Sequence, residues 1–582
     1  MKKEISFPLA FILAVWLFSP RISWGFYGYI TSDTTWADSL FVDGDVVVER
    51  DVTLRVAPGA RVVFSSDTSL WDYWIGERDK CDLIIRGSLR AVGDSLSTSD
   101  SIQFTGSDTI PGRWGGIWLE GSFADTIRFA QIRYPTVGIH CYSAFPVISH
   151  NWILDCRGDD ATTPEDYNGH IGAGIWCRES SPIINFNCIA RCVGGEGYGP
   201  WYGSGGMGAG IYVAQSPCAY IGGNSISLCK GGKGEGGAFE AGNGGDGVGI
   251  RCDSVLSIEV RGNEIIQCKG ECSGYPGDCG ESVGGQGKGI SLFHVSLADV
   301  SHNSISSCRG GMGYGWIYGG VSGDGLGIFL RGVEKCTISE NFITDCNGAN
   351  GYSGGIAGNG IALYCLDSSP ILKGNILMES QGGIADTSWP GWRFGIGIGV
   401  SIKGSFSPFI GGLPDFQNDI YGNSDYNLAN YTSKQITATY NWWGTRNAAL
   451  IDSSIFDCED DYSYGCVLYS PWAETSLTEV KPVEGERNLP KEYLLLENFP
   501  NPFNYSTVIS YRLSRSAWVS LKICNILGQE VKDLVKGFQP EGVHRLSWDG
   551  RGNNGEKVRS GVYFCVLQIK KSKFSGRMVL IR

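Results

Sequence analysis

The stretch SHNSISSCRGG, residues 301–311, contains a phrase that recurs along the chain. Its skeleton is Asn-x-Ile-x-x-Cys, represented here by Asn303, Ile305 and Cys308. Eight copies, the last two of them looser, begin at Asn151, Asn187, Asn224, Asn263, Asn303, Asn341, Asn375 and Asn418. Successive copies start 34 to 43 residues apart. A fixed period of this length is typical of a stacked repeat rather than of one compact core.

A second phrase, Gly-x-Gly-Ile/Val-x-apolar, alternates with the first. It opens as TVGIHC at Thr136, returns as GAGIWC at Gly172 and GNGIAL at Gly358, and closes as GIGVSI at Gly397. A glycine-rich insert of variable length separates the two phrases, for example KGGKGEGGAFEAGNGGDG at residues 230–247. Short strands with alternating apolar residues fit coils in which like residues stack about 4.8 Å apart. The pattern predicts an all-β solenoid with the isoleucines and cysteines inside.

The asparagine of the first phrase has a predicted structural role. Asn tolerates the left-handed backbone that a tight turn between strands requires. Its side-chain amide can also bond to the asparagine of the next coil. The eight asparagines therefore predict a ladder along the solenoid.

The repeated turns occur together with the opening coils VTLRVAPGARVVFSS (52–66), with GRWGGIWLEG (112–121) and with the closing YNWWGT (440–445). Together these motifs resemble the right-handed parallel β-helix of pectate-lyase-like and NosD-like proteins, over roughly residues 28–472. We divide the chain into a signal peptide (1–25), N-terminal coils and cap (26–135), repeats with glycine-rich inserts (136–472), a linker (473–496) and a C-terminal domain (497–582).

The first residues predict export. Lys2 and Lys3 precede the apolar run 7–18, which is too short to span a membrane comfortably. Ser23 and Gly25 are small residues at the positions that a signal peptidase reads. We expect cleavage before Phe26 and no membrane span afterwards. The formal net charge of −13 argues against nucleic acid as a partner.

The C-terminal residues have a different pattern, with short alternating strands typical of a small β-sandwich. NFPNPF (498–503), GVYF (561–564) and RMVL (577–580) resemble the Ig-like sorting domain of type IX secretion cargo, akin to the Ig-like domain of flagellar hook-capping proteins. The resemblance implies delivery by outer-membrane secretion machinery, through the periplasm, to the medium or the outer cell surface. From Glu497 onward, 14 basic residues face 6 acidic ones, so a basic domain follows an acidic body.

Many of the 20 cysteines follow the repeat. Those of the repeat should form a ladder of reduced, buried thiols, because stacked side chains lie further apart than a relaxed disulfide allows. Cys524 and Cys565 are the only cysteines of a module that resembles a sorting domain, and they are expected to form a cross-strand disulfide. Two local pairs are further candidates, Cys458 with Cys466 and Cys272 with Cys279.

Function is predicted from the outward positions. In the second phrase these hold His140, Trp176, Tyr212, Arg251, Ser291, Phe329, Ala362 and Ser401. The inserts add a row of rings: Tyr198, Trp201, Tyr275, Tyr314, Trp316 and Tyr352. Such rings either stack on sugar faces or pack on the coil beneath them. With Arg251 as a nearby cation, the first alternative predicts polysaccharide binding by Trp176, Tyr212, Arg251 and the insert rings.

An enzyme of this architecture would need further groups. Sugar hydrolysis requires paired carboxylates. Neither the outward positions of the second phrase nor those of the first phrase stack carboxylates along the solenoid. Only DCRGDDATTPEDYNGH, residues 155–170, concentrates acids and a histidine, so Asp155, Asp159, Asp160, Asp166 and His170 are the candidates for a catalytic or calcium site. A solvated loop is the alternative, and otherwise no metal or cofactor is expected. The sequence favours a structural, adhesive or glycan-binding role, with a polysaccharide lyase or glycoside hydrolase as the alternative.

Overall fold

The computed structural model describes residues 25–66, 80–94, 101–122, 125–163, 165–199, 203–236, 241–274, 282–314, 320–352, 355–386, 392–478, 493–499, 507–513, 517–525, 529–540, 542–553, 555–559, 561–569 and 572–580. Residues 1–24 of the predicted signal peptide, residues 479–492 of the predicted linker, Trp201, Tyr275, Cys279 and Trp316 lie outside these ranges. The chain divides into two compact units, Met1–Glu479 and Val480–Arg582. No helix within the described ranges has the length and apolar character needed to cross a membrane.

Each repeat forms one coil of three short parallel strands. In the coil that begins with GAGIWC, the strands are Gly172–Arg178, Ile183–Asn185 and Cys188–Ala190. Each strand pairs in register with the equivalent strand of the next coil, so that like residues stack on like. The predicted all-β solenoid is confirmed.

Three stacks of strands run along the solenoid, numbered here in the order in which each coil visits them. Sheet 1 contains the Gly-x-Gly-Ile strands and their equivalents: Phe26–Ile30, Asp82–Ile85, Gly116–Glu120, Val137–Tyr142, Gly172–Arg178, Gly208–Ala214, Gly247–Asp253, Gly287–Phe293, Gly325–Arg331, Gly360–Leu366, Gly397–Lys403, Tyr426–Tyr431 and Ile455–Phe456. Sheet 2 contains Thr34–Trp36, Thr53–Val56, Ser88–Val92, Thr126–Arg128, Val147–Ser149, Ile183–Asn185, Cys218–Gly222, Ser257–Arg261, Leu297–Ser301, Lys335–Ser339, Ile371–Lys373 and Phe409–Ile410. Sheet 3 contains Arg61–Phe64, Ile102–Gly106, Ala130–Arg133, Trp152–Leu154, Cys188–Ala190, Ser225–Ser227, Glu264–Ile266, Ser304–Ser306, Phe342–Thr344, Ile376–Met378 and Asp419–Tyr421. Strand Ser39–Val48 pairs in both sheet 1 and sheet 3.

The inward side chains form ladders that make up the core. The isoleucines of the first phrase are fully buried in consecutive coils: Ile153, Ile189, Ile226, Ile265, Ile305 and Ile343. The cysteines of the same phrase are buried free thiols: Cys156, Cys192, Cys229, Cys268, Cys308 and Cys346. Hydrogen bonds to neighbouring thiols, together with burial, raise the pKa of Cys192 and Cys268 well above the ordinary value. Cys192 and Cys268 therefore stay protonated and donate to Cys229 and Cys308, whose pKa the same hydrogen bonds lower. All six side chains pack inside the coils as small groups.

The central glycine of the Gly-x-Gly-Ile phrase is required where it faces an isoleucine of the first phrase. A Cβ atom at Gly174 would lie 2.4 Å from the Cγ2 of Ile189 and 2.7 Å from the carbonyl oxygen of Gly210. In the next coil, a Cβ atom at Gly210 would likewise lie 2.4 Å from the Cγ2 of Ile226. The two phrases are therefore sterically linked, because the isoleucine of one coil packs against the backbone of a glycine in sheet 1.

The asparagines form a hydrogen-bonded ladder in the turn between sheets 2 and 3. The backbone N–H and the Nδ2 of each asparagine both donate to the Oδ1 of the next one, at 2.9–3.0 Å. The ladder extends one residue beyond the predicted set, since Asn418 donates in the same way to Asn441. All nine asparagines are buried, so the ladder satisfies polar groups that solvent cannot reach.

The turn differs from the sequence prediction in one respect. Before eight of the nine ladder asparagines, the left-handed residue is the preceding one, not the asparagine itself. The exception is Gln417, before Asn418, at φ −49°. In three consecutive coils the left-handed residue is His150 at φ 57°, Phe186 at φ 54° and Gly223 at φ 64°. The left-handed turn is thus completed before the asparagine, whose side chain forms the ladder.

The glycine-rich inserts pack against one another in a continuous hydrogen-bonded layer. Gly206 donates to the carbonyl of Gly195 in the same insert, Gly232 of the next insert donates to Gly206, and Gly245 donates to Gly232, at 2.7–2.9 Å. The same alternation continues to Gly395. A Cβ atom at Gly245 would lie 2.0 Å from the oxygen of Gly206. None of these four glycines has a positive φ, so glycine is required here for close approach of backbones.

The last coils carry additional structure. They include the 3₁₀ helix Pro414–Phe416, the helix Ala448–Asp452 and the paired strands Ile436–Thr437 and Val467–Leu468. Cys458 and Cys466 form the local disulfide that the sequence suggested. Residues 473–478, which the sequence assigned to the linker, pack on the solenoid, where the N–H of Leu477 donates to Asp419 at 2.8 Å.

The C-terminal unit is a two-sheet, Ig-like sandwich, as predicted. One antiparallel sheet contains Tyr493–Phe499, Thr507–Leu513 and Gly542–Trp548, and the other contains Glu530–Gln539, Ala517–Asn525, Gly561–Ile569 and Ser572–Leu580. Ile509, Leu521, Trp548 and Leu567 belong to its core.

The strand register contradicts the predicted Cys524–Cys565 disulfide. Cys565 is paired with Ile523, and Cys524 is paired with Phe564. The two cysteines are thus offset by one residue, and their side chains point to opposite faces of the sheet. Cys565 is buried in the sandwich core while Cys524 is half-buried. The other predicted pair is Cys272 with Cys279, of which only Cys272 lies within the described residues. Cys272 is half-buried.

The ladder gives a direct test of what stabilises the coils. Asn263→Ala removes the acceptor of two hydrogen bonds from Asn224 and the donor to Asn303 and to the carbonyl of Ile221. We expect a loss of stability on the order of 3 kcal/mol, because buried polar groups lose their partners. Denaturant unfolding and amide exchange in the flanking coils measure it. Ser304→Ala, at an exposed position in the next coil, is the control, and equal effects of the two substitutions would contradict the prediction.

Candidate functional site

The outward side chains of sheet 1 form a continuous column. In register order it contains Trp118, His140, Trp176, Tyr212, Arg251, Ser291, Phe329, Tyr364 and Ser401. We call these nine residues the outer column. The predicted ligand-binding residues Trp176, Tyr212 and Arg251 are consecutive members of it.

One member was assigned incorrectly from the sequence. GNGIAL was aligned by its first glycine, which placed Ala362 in the column. The strand register instead pairs Gly360 with Gly325 and Tyr364 with Phe329. Ala362 is fully buried, at the position that the central glycine occupies in other coils. Tyr364 is therefore a member of the outer column that the sequence analysis missed. The signal for the two-residue shift in alignment is Leu363, which holds the inward position of Ile328 in the preceding coil.

The first half of the outer column is a run of four rings in contact, of which Trp176 and Tyr212 are stacked. The ring centroids of Trp118 and His140 are 4.0 Å apart, and those of His140 and Trp176 are 4.9 Å apart. Trp176 and Tyr212 are nearly parallel, with an interplanar angle of 11° and a centroid distance of 5.9 Å. Burial lowers the pKa of His140 to about 4, with a further contribution from the charge of Arg178. His140 is consequently a neutral ring at neutral pH.

Arg251 follows the rings and is fixed in place. Its Nη2 lies 2.9 Å from the Oδ2 of Asp253. Its Cζ lies 5.4 Å from the centroid of Tyr212 and 4.7 Å from that of Phe293. The hydroxyl of Tyr212 donates to the same carboxylate at 3.4 Å. The cation is therefore held between two rings and one carboxylate, a geometry suited to a preorganised polar contact.

Two lysines continue the alternation of cations and rings. The Nζ of Lys288 is 2.7 Å from the Oδ2 of Asp246 and 5.6 Å from the ring of Phe329. Its side chain is only 5% exposed. The Nζ of Lys403 lies 5.5 Å from the ring of Tyr364 and 5.0 Å from that of Tyr431. Among the described residues Lys403 has no carboxylate in ion-pair contact.

The bases of the inserts border the outer column. Ile171 and Met207 pack with Trp176 and Tyr212 at one end. At the other end, Ile396 packs in a cluster with Phe329. A cleft of about 400 Å³ opens there, between the inserts and the last coils. The insert bases thus flank the outer column at both of its ends, and we call the surface between them the groove.

Several polar atoms on this floor have no hydrogen-bond partner. The Nδ1 of His140, the Nε1 of Trp176 and the Oγ atoms of Ser291 and Ser401 are buried and unpartnered in the described part of the chain. Buried polar atoms normally find partners, and exceptions need an explanation. Four such atoms lie on the outer column, where an entering polar group would meet hydrogen-bond donors and acceptors.

The predicted insert rings are only partly within the described residues. Tyr314 and Tyr352, from successive inserts, are in edge-to-face contact with centroids 5.4 Å apart. Tyr352 is 44% exposed. The backbone N–H of Tyr198 donates to the carbonyl of Tyr167. Trp201, Tyr275 and Trp316 fall on residues that are not described.

The acidic loop does not form the predicted cation site. Each carboxylate has its own basic partner: Asp155 pairs with Arg191, Asp159 with Lys80, Asp160 with Arg157 and Asp166 with His170. Arg251 pairs with Asp253 rather than with this loop. Within the described ranges, no group of three His, Cys, Asp or Glu side chains is placed to hold a metal ion. Arg191 and Lys80 come from other coils, whereas Arg157 and His170 belong to the loop itself. The four predicted aspartates are thus engaged separately and do not share one cation position.

Comparisons with known proteins bear mainly on the C-terminal unit. Residues 504–572 match the FlgD Ig-like domain family. No curated protein matches the chain. Two solved structures from Porphyromonas gingivalis share short segments with it. PorZ, an essential surface component of the type IX secretion system, is 24% identical over 15% of this chain and 11% of its own, with a TM-score of 0.12. Dimeric latent PorU is 19% identical over 15% of this chain and 9% of its own, with a TM-score of 0.14.

Burial of His140 predicts a pH dependence of stability. The unfolded chain binds a proton at the ordinary histidine pKa of 6.5, whereas the folded chain binds it only near pH 4. Stability therefore falls as the pH drops from about 6.5 to about 4, by about 3 kcal/mol from this residue. Denaturant unfolding at pH 7 and pH 4 should show a smaller loss for His140→Phe than for the unmodified chain. Equal losses would contradict the prediction.

Proposed function

We propose that the protein is an exported glycan-binding protein, in which the outer column holds a polysaccharide along sheet 1. The observation that carries this proposal is the run of contacting rings at His140, Trp176 and Tyr212, the last two nearly parallel. Its edges include buried polar atoms that lack partners among the described residues. Aromatic faces pack on the C–H faces of sugars, and convergent polar groups fix orientation.

The repeat suits a polymeric ligand. Consecutive coils present one outer-column residue each, about 4.8 Å apart. A long chain lying along the groove would contact several coils at once, so individually weak contacts add up to useful affinity. A structural or adhesive role at the cell surface follows from such multivalent attachment.

Delivery is the second part of the proposal. Residues 504–572 match an Ig-like domain family, and the basic C-terminal sandwich follows an acidic body. We assign it the role of a sorting module recognised by outer-membrane secretion machinery. The N-terminal signal would first bring the chain to the periplasm, and the sandwich would then direct it to the outer surface or the medium.

A lyase or hydrolase acting in the same groove is the second candidate. It is favoured by Asp324, a carboxyl group whose pKa burial raises and whose Oδ1 accepts from the N–H and the Nδ2 of Asn359. A buried acid of this kind can donate a proton to a leaving group. New reducing ends released from a bound polysaccharide would distinguish this candidate from a binding protein.

Glycan binding is tested with the full chain on a polysaccharide array. The double substitution Trp176→Ala and Tyr212→Ala should weaken the strongest interaction at least about tenfold, since it removes the central parallel rings. Phe342→Ala, which removes a 41% exposed ring on sheet 3, is the matched control and should have no effect. The proposal fails if the double variant binds as the unmodified chain does.

Sorting is tested by deleting residues 497–582. The solenoid is a separate compact unit and is stabilised by contacts between neighbouring coils. We expect the shortened chain to fold and accumulate in the periplasm, whereas the full chain reaches the surface or the medium. Cell fractionation and protease protection measure this. Normal amounts of the shortened chain outside the cell would overturn the sorting assignment.

A further inference from the structure

We infer that the cleft at the C-terminal end of the outer column binds an oxyanion substituent of the glycan, a carboxylate or a sulfate ester, through Lys403 and Ser401. This inference rests on the proposed function and names the class of sugar that the groove selects. The cleft has a volume of about 400 Å³, which lies within the range of small-molecule sites.

The first argument is the charge of Lys403. The other cations of the groove are neutralised locally, Arg251 by Asp253 and Lys288 by Asp246. Lys403 is exposed and lies over the rings of Tyr364 and Tyr431. In the part of the chain that the structure describes it makes no ion pair. An ammonium group held by two rings without a counter-charge is a site for an anion.

The neighbouring carboxyl group does not replace that anion. Asp324 feels the charges of Lys403 and Lys288, but it is buried and its Oδ1 is occupied by two hydrogen bonds from Asn359. Asp425 is engaged by the N–H of Gly397 and the hydroxyl of Ser424. Both acidic groups already have hydrogen-bond partners within the protein, which leaves the Lys403 ammonium available.

The second argument is independent of charge. Ser401 lines the cleft, is 1% exposed, and its Oγ has no hydrogen-bond partner within the described residues. It is the last residue of the outer column, next to Tyr364. A buried hydroxyl without a partner gains a hydrogen bond when an oxyanion enters the cleft beside Lys403.

The walls of the cleft suit the ring that carries the anion. Tyr431 and Tyr464 stand edge to face, with centroids 5.6 Å apart. Three isoleucines, Ile361, Ile396 and Ile398, complete the apolar part of the lining. Burial raises the pKa of Tyr431 to about 12, so its phenol remains a neutral hydrogen-bond donor. The cleft thus combines an apolar wall for a sugar ring with a cation and a hydroxyl for its substituent.

The test is calorimetric titration of the full chain with three tetrasaccharides: a uronic acid oligomer, its fully methyl-esterified form and a sulfated galactan. We expect at least one anionic oligomer to bind at least tenfold more tightly than the neutral ester. Lys403→Met keeps the aliphatic stem on the two rings and should remove that preference, whereas Ser401→Ala should reduce it about threefold. Lys335→Met, which removes an exposed lysine on sheet 2, is the matched control. Lys403→Gln replaces Lys403→Met if the latter does not fold.

The outcomes separate this inference from the function on which it rests. If the preference is lost in Lys403→Met while the ester binds unchanged, the inference holds, and the preferred oligomer shows whether the anion is a carboxylate or a sulfate. If all three oligomers bind equally and Lys403→Met has no effect, the anion site is wrong, although glycan binding stands. If none binds, or if binding is insensitive to Trp176→Ala with Tyr212→Ala, the proposed function fails and the inference with it.

Discussion

Stacking of identical coils in register is the constraint on which the rest of this structure depends. Every strand of the repeat bonds to the equivalent strand above and below it, so a side chain that suits one coil must suit its copies. This favours residues that pack or bond with themselves. Asparagine does so through its amide, isoleucine through its apolar surface and cysteine as a small thiol. The ladder asparagines add direction, because the backbone and side-chain donors of each one converge on a single oxygen of the next.

The same constraint explains the unusual share of glycine. The inserts leave each coil between sheets 3 and 1 and return beside the previous insert, with backbones close enough to exclude a Cβ atom. Glycine at Gly206, Gly232 and Gly245 therefore acts through its small size, not through a left-handed conformation. An insert cannot make these hydrogen bonds alone, since alternate bonds come from the neighbouring insert. The layer consequently behaves as a further sheet-like element attached to the solenoid, and it forms one wall of the groove.

The outer column is the part of the repeat in which equivalent positions of successive coils do not hold the same type of residue. Inward positions repeat one residue type, whereas the outer column changes from rings to a cation, to serine and to rings again. Within the described residues, buried polar atoms of His140, Trp176, Ser291 and Ser401 lack hydrogen-bond partners. Apolar atoms at these positions would give a more stable fold, because burying a polar group without a partner costs free energy. The proposed ligand would supply the missing partners.

The sequence by itself determined the features that depend on periodicity. These include the coils, the inward isoleucines and cysteines, the asparagine ladder and the grouping of Trp176, Tyr212 and Arg251, because each follows from residues repeated at a fixed spacing. The C-terminal sandwich was predicted from its short alternating strands and its motifs. Tertiary structure alone decided the rest. Tyr364 entered the outer column because strand register, not the first glycine of GNGIAL, fixes which side chain points outward. The acidic loop lost its cation site because Arg191 and Lys80 come from other coils. Cys524 and Cys565 face away from each other because an offset of one residue between paired strands reverses the side of the sheet, and local sequence does not encode that offset.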